Sequence, residues 1–362
     1  MTEQLLRRLR ELTAIDAVSG DERPLVRYLA DQLTAAGVAI AGDASGNLYA
    51  VRRGKAPGPT LLVAAHMDEI GLMVKSVDRN GFIRFEKVGG MIDSLLPARV
   101  VRVNGVTGVI GVKAGHYQTE QERNQVKRHT EMYIDIGCDS AEAVAKLGIR
   151  IGDPITIVSP LVEMGGNPHL VAGKAVDNRL GCAVLLELVL SGAVPEAGTL
   201  VAAFTVQEEV GLKGAEVAAH RWHPELALAL DTMPSGDTPD MNYEKDLNVS
   251  IGAGPAIQVM GGPGGRGNLL HPVVREFLRE TAAESQIPVQ FCTFTGGNND
   301  SSTMAWAAEG CAAGSITLPR RYSHSPVEVA DLRDAVAAQR LLEAVLARMD
   351  RLPTFTFLPE MN

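Results

Sequence analysis

Cysteine is sparse in this chain of 362 residues. The four present, Cys138, Cys182, Cys292 and Cys311, show no CxxC spacing, which excludes a redox pair and a zinc ribbon. A chain of this size needs no disulfide scaffold, so the thiols are expected to be reduced and mostly buried. Long apolar runs are also missing: no stretch reaches the ~18 consecutive apolar residues of a membrane span. The opening MTEQLLRRLREL is charged and amphipathic, without the apolar run and cleavage site of a secretory signal, so a cytoplasmic location is expected and no membrane partner. Positive charge is in deficit. With 34 Lys and Arg against 43 Asp and Glu, the formal net charge is −9, which argues against a general nucleic-acid binder. No internal repeat and no low-complexity tract occurs.

What is present is apolar material, 46% of the residues, enough for a large core. At roughly 100–200 residues per domain the length suggests two domains. Leu5, Leu6, Leu9 and Leu12 recur at helical spacing. Ser19 and Glu22 have capping-box spacing ahead of a second stripe, Leu25, Leu29 and Leu33. Four short apolar runs read as buried parallel strands: PTLLVAAH (59–66), TLVAAFTV (199–206), LALALD (226–231) and GSITLP (314–319). Helical patterns lie between them, from Asp177 through Leu188 and over about 271–284, 301–309 and 331–349. Alternation of this kind predicts an α/β fold, a mixed sheet sandwiched by helices.

Residues 71–165 differ. Short alternating runs such as GFIRFEKVG and VTGVIGVK are punctuated by turn signals, which predicts a small β-barrel or sandwich. One helix is expected at about 140–147, and the polar stretch from His116 to Glu131 is expected to be a long loop. The domain reading is therefore a discontinuous catalytic domain, 1–70 and 166–362, interrupted by a β domain at 71–165.

Each apolar strand ends in groups that can bind a metal ion: His66 with Asp68, then Glu208 and Glu209, then Asp231, then His324, with Asp177 opening a helix. Ligands of open α/β sheets bind at the carboxyl ends of strands. Histidine and carboxylate together suit zinc and similar divalent ions. Five such ligands exceed one tetrahedral ion and suit two ions sharing a carboxylate, as in aminopeptidases and phosphatases. His66 and Asp68 stand two apart and face the same way in extended chain, so Asp68 can accept a hydrogen bond from the imidazole. Glu208 and Glu209 are adjacent and point apart, so one can bind metal while the other moves a proton. Taken singly, each residue has a plainer reading: a packed histidine, an N-cap aspartate, a surface glutamate pair. Their shared position after strands of one sheet favours a metallohydrolase.

AHMDEIG (65–71), GKAVDNR (173–179), VQEEVGLKGA (206–215), LDT (230–232) and RYSHSPVEV (321–329) resemble the signature segments of metallopeptidase family forty-two, the tetrahedral, glutamyl and deblocking aminopeptidases. The resemblance is ordered and nearly full-length. It implies that His66 and Asp231 hold one ion, Glu209 and His324 the other, and Asp177 bridges both, with its bond to Asn178 cis. It implies Glu208 as general base and Asp68 as partner of His66. It further implies two divalent ions per subunit, zinc with cobalt or manganese as alternatives; peptide substrates cut at their N-termini; and an inserted dimerisation domain with dimers assembling to a dodecamer. GGNNDSS (296–302) and the stretch 116–131 depart from the family's pattern and bear on substrate preference and assembly.

Three other readings compete with this one. A related two-metal carboxypeptidase or deacylase shares the ligand order, but its extra domain falls between the last two ligands, whereas here the gap lies between His66 and Asp177. A glycoside hydrolase using Glu208 and Glu209 leaves both histidines without a role. A non-enzymatic scaffold would be expected to lack a ligand. Arg320 and Arg321, close to His324, read either as selecting acidic substrates or as a solvated basic pair.

Overall fold

The computed structural model describes residues 1–355; the last seven residues of the expected catalytic segment, 356–362, lie outside them. Helices α1 (Thr2–Thr13) and α2 (Arg23–Ala35) open the chain and bury Leu5, Leu9 and Leu12, and Leu25, Leu29 and Leu33. The spacing puts each set on one face, which packs on the core. The capping box expected of Ser19 and Glu22 does not form. Ser19 Oγ donates to Asp68 Oδ2 at 2.6 Å, and Glu22 accepts from the backbone N–H of Gly20 and of Gln207. Tertiary partners have taken both side chains from the helix end.

Three strands follow, β1 (Ala39–Gly42), β2 (Leu48–Arg53) and β3 (Ala56–His66). The chain then enters a separate barrel made of β4 (Gly71–Val77), β5 (Ile83–Val88), β6 (Val100–Val103), β7 (Val106–Ile110), β8 (Ile134–Asp135) and β9 (Pro154–Ile157). These close in the order β4-β5-β8-β7-β6-β9 around their own core, which includes Leu72, Phe85, Val101 and Ile155. Closure leaves no open sheet edge. The polar stretch after β7 carries a short helix, α3 (Glu120–Asn124), between single 3-10 turns, and α4 (Ala141–Lys146) precedes β9.

The chain returns to the main sheet through β10 (Val162–Glu163) and β11 (Leu170–Gly173). The sheet pairing thus resumes a few residues before the expected boundary at 165. There follow α5 (Val176–Leu190), β12 (Ala197–Thr205), α6 (Lys213–Trp222) and β13 (Leu226–Pro234). A side branch of β14 (Ala256–Gly261), β15 (Asn268–Leu269), α7 (Pro272–Glu284) and β16 (Gln290–Phe294) comes next. Last come α8 (Ser301–Met304), β17 (Ala312–Arg321), β18 (Glu328–Asp331) and α9 (Leu332–Leu346). The main sheet runs β1-β2-β12-β3-β13-β17-β18-β11-β10, with β14 joined to β17.

The four apolar runs are β3, β12, β13 and β17, and they are mutually parallel neighbours. Such strands are buried on both faces. Alternation along β3 shows it: Leu61, Val63 and Ala65 pack with α1, α5, α7 and α9, whereas Leu62 and Ala64 pack with α6 and α8. Helix α5 is buried along almost its whole length and is mostly apolar on every face beyond its first turn, Glu187 excepted, as suits a central helix. The helix expected over 301–309 stops at Met304; Ala308 and Gly310 adopt positive φ in the turns that follow. All four thiols are free, with Cys182 and Cys292 buried. Among the described residues no helix is long and apolar enough to cross a membrane.

Candidate metal centre

The parallel strands deliver their ligands to one edge. His66 is the last residue of β3, paired in register with Thr205 at the end of β12. Glu208 and Glu209 follow β12 after Gln207, which turns the chain with φ of 55°. Asp231 lies within β13. His324 follows β17 in a left-handed conformation, φ 56°. Asp177 stands at the start of α5, and its bond to Asn178 is cis.

These side chains converge. His66 Nε2 lies 3.3 Å from Asp177 Oδ1, 3.4 Å from Asp231 Oδ1 and 4.0 Å from Glu208 Oε2. His324 Nε2 lies 3.6 Å from Asp177 Oδ2 and 3.5 Å from Glu209 Oε2. Two trios that could hold a cation, His66–Asp177–Asp231 and Asp177–Glu209–His324, share Asp177; a third joins His66, Glu208 and Glu209. Asp177 Oδ1 and Glu209 Oε1 are buried without a hydrogen-bond partner among the described residues. An unsatisfied buried carboxylate oxygen costs at least about 1–3 kcal/mol. A cation between the trios would satisfy both, so the donor set fits divalent ions.

The supporting contacts are specific. His66 Nδ1 lies 3.2 Å from the backbone carbonyl of Asp68, which can only accept, so Nδ1 carries the hydrogen and Nε2 is free to ligate. The Asp68 carboxylate is farther from the ring, 3.4 Å, than the direct bond expected from the spacing. Its main work lies elsewhere: it accepts the backbone N–H of Glu208 at 3.0 Å and of Glu209 at 3.1 Å. It therefore holds the turn that aims both glutamates.

Electrostatics follow from burial and crowding. Burial alone would lower the pKa of His66, but Glu208 and Asp231 raise it well above the ordinary value. Burial would raise Asp177, but Arg320, His324 and His66 hold it well below the carboxylate range. Burial drives Glu208 well upward, helped by Asp231 and Asp300. Burial and Asp177 push Glu209 up to about 8. The Asp177 carboxylate, 3.6 Å away, raises His324 to about 9.

Three residues in and around the centre were not identified from sequence. Glu328 accepts the backbone N–H of Asp177 at 2.9 Å and of His324 at 3.0 Å. Its only signal was a charged residue between two valines, Val327 and Val329. Asp300 accepts from Thr205 Oγ1 at 2.8 Å, and burial raises it to about 7; it stood in the GGNNDSS segment already marked as unusual. Arg320 is not a solvated residue: it is buried against Asp177, Thr232 and Glu328. Arg321 turns away to pair with Asp237 at 2.7 Å.

The centre opens into a cavity of about 550 Å³ that also includes Phe294, Asn298 and, from the barrel side, Gly90 and Ile92. A larger cavity near Pro224 and Ala312 lies at the opposite strand ends and contains none of these ligands.

Residues 46–341 match the M42 glutamyl aminopeptidase family. The chain belongs to the M42 family, and with it to the aminopeptidases. It is 38% identical over 341 residues to a protein of Acetivibrio thermocellus that carries a provisional aminopeptidase name, covering 94% of this chain and 98% of that one. An aminopeptidase from the archaeon Desulfurococcus kamchatkensis superposes with a TM-score of 0.92 at 35% identity, covering 99% of both chains. The TET1 peptidase of Pyrococcus horikoshii, which can assemble into a tetrahedron or a large octahedral shell, has a TM-score of 0.83 at 29% identity, with 95% of this chain and 99% of that one covered. The α/β sheet with an added barrel is thus the architecture of TET-type M42 peptidases.

Proposed function

We propose that this M42 chain removes N-terminal residues from peptides at a two-cation centre. His66 and Asp231 would hold one divalent ion, Glu209 and His324 the other, and Asp177 both. The observation that carries this is the pair of trios sharing Asp177, whose Oδ1 has no hydrogen-bond partner among the described residues. Zinc, cobalt and manganese all suit this nitrogen and oxygen set. When bound, such ions supply Lewis-acid polarisation of the scissile carbonyl and a water of lowered pKa.

The chain's own residues do the rest. Glu208 is buried beside His66, and its raised pKa makes its carboxylate a stronger base than an exposed one, so in that form it can accept a proton from the attacking water and return it to the leaving amine. Asp68 positions Glu208 through its backbone N–H. The carboxylates around the centre offer the free α-amino group of the substrate a negative counterpart, which selects a chain terminus over an internal bond. The barrel, inserted between His66 and Asp177, is the element we assign to dimerisation, with higher assembly of the kind that TET1 shows.

The test is a screen of aminoacyl-nitroanilides and their N-acetyl counterparts after chelation and re-addition of each cation. The reading requires cleavage of the free-amine series alone. Preference for N-acyl substrates would transfer the chain to the deacylase reading, and chelator-resistant cleavage of cellulose to the glycosidase reading.

A further inference from the structure

The reaction described above makes no use of Arg320. Its side chain is buried at the end of β17. Nε donates to Thr232 Oγ1 at 2.7 Å, Nη2 donates to Asp177 Oδ2, and Nη1 lies 3.3 Å from Glu328 Oε1. A guanidinium keeps its proton, so this is a permanent positive charge in the wall of the cavity. It makes the two oxygens of Asp177 unlike. Oδ1 faces His66 at 3.3 Å and has no hydrogen-bond partner among the described residues. Oδ2 faces His324 at 3.6 Å and is already held by Arg320.

We infer that Arg320 is a built-in cation of the centre that makes its two metal places unequal: His66–Asp177–Asp231 fills first and tightly, and Asp177–Glu209–His324 fills second and weakly. This rests on the two-cation reading above. An ion at the second place shares Oδ2 with a guanidinium and meets its charge in the largely buried wall of the cavity, where like charges are screened less than in bulk water. Glu328 offsets that charge only in part, because each of its oxygens also accepts a backbone N–H. An opposing effect exists. Arg320 also orients Asp177, and loss of an orienting partner ordinarily weakens metal binding by about 10- to 100-fold. The two effects predict different outcomes for a neutral and a charged replacement. If charge dominates, Arg320→Gln strengthens the second place and Arg320→Lys leaves it near the parent. If orientation dominates, both weaken it.

The experiment is a Co²⁺ titration of chelator-treated full-length protein, followed by calorimetry and by visible absorption of the bound ion. We expect two binding steps in the parent separated by at least about tenfold, with the second step tightened about 10-fold or more in Arg320→Gln, unchanged in Arg320→Lys, and the first step constant throughout. Two equal steps in the parent, or a second step unchanged or weakened in Arg320→Gln, would overturn the inference while leaving the two-cation reading intact. Failure of the parent to bind two ions would overturn that reading as well. If Arg320→Gln does not fold, the double variant Arg320→Gln/Glu328→Gln removes both charges and carries the same expectation.

Discussion

Glu208 and Glu209 are sequence neighbours that meet different partners, one beside His66 and the other beside His324. The backbone between them is pinned at both N–H groups by Asp68. This separation lets one glutamate ligate while the other moves a proton. Glu208→Gln should therefore lower kcat by about 10²–10⁴-fold, the usual contribution of a general base, while the bound cation count stays the same. Kinetics paired with elemental analysis check it; wild-type turnover at full metal content would remove Glu208 from the role. The raised groups predict a pH dependence of metal binding. Without metal, His324 keeps its proton below about 9 and Glu209 below about 8. Both hold protons at pH 7, and a cation must displace them, so affinity should rise with pH and level off near 9. Calorimetry in two buffers of different ionisation heat should show net proton release at pH 7; no release would contradict the assignment.

At the scale of elements, the ends of strands and the loops beyond them carry the chemistry, and the barrel reaches back to touch it. A Cβ on Gly90 would lie 2.3 Å from His324 Nδ1, so only glycine lets that ring sit where it does. Gly90→Ala should displace His324 and weaken cation binding by about tenfold or more, whereas Gly115→Ala, with nothing within 4 Å, should be silent in the same titration. Helix α5 presents Asp177 from a fully packed base. Leu185→Ala there should cost about 2–5 kcal/mol in denaturant unfolding, because a cavity in a helix packed between the sheet and other helices collapses only in part. The strands were legible in sequence because burial on both faces writes continuous apolar runs, and their polar ends marked His66, Glu208, Asp231 and His324. Asp177 was marked by its place at the start of a helix, and only its bridging role needed the family resemblance. Arg320 and Glu328 were illegible: the partner that gives each its meaning, Asp177, lies 143 and 151 residues away. Ser19 was misread for the same reason. Its spacing to Glu22 is a local signal, and Asp68, 49 residues on, outcompetes it.

Across the whole molecule, the parallel strands of one mixed sheet gather ligands from segments more than 250 residues apart, and a closed barrel with its own core is inserted between the first ligand and the second. The insertion leaves β3 and β11 in one sheet, so the site is assembled across an interruption of the chain without disturbing the parallel strands that aim it. Asp177 serving two cations is the feature on which two-metal catalysis in this chain depends. The direct measurement is peptidase activity on an aminoacyl-nitroanilide as a divalent cation is returned stepwise to chelated protein, with bound metal counted at each step. The account predicts no activity without metal and a plateau when two ions are bound per chain. Activity that survives chelation, or a plateau at a single bound ion, would contradict it.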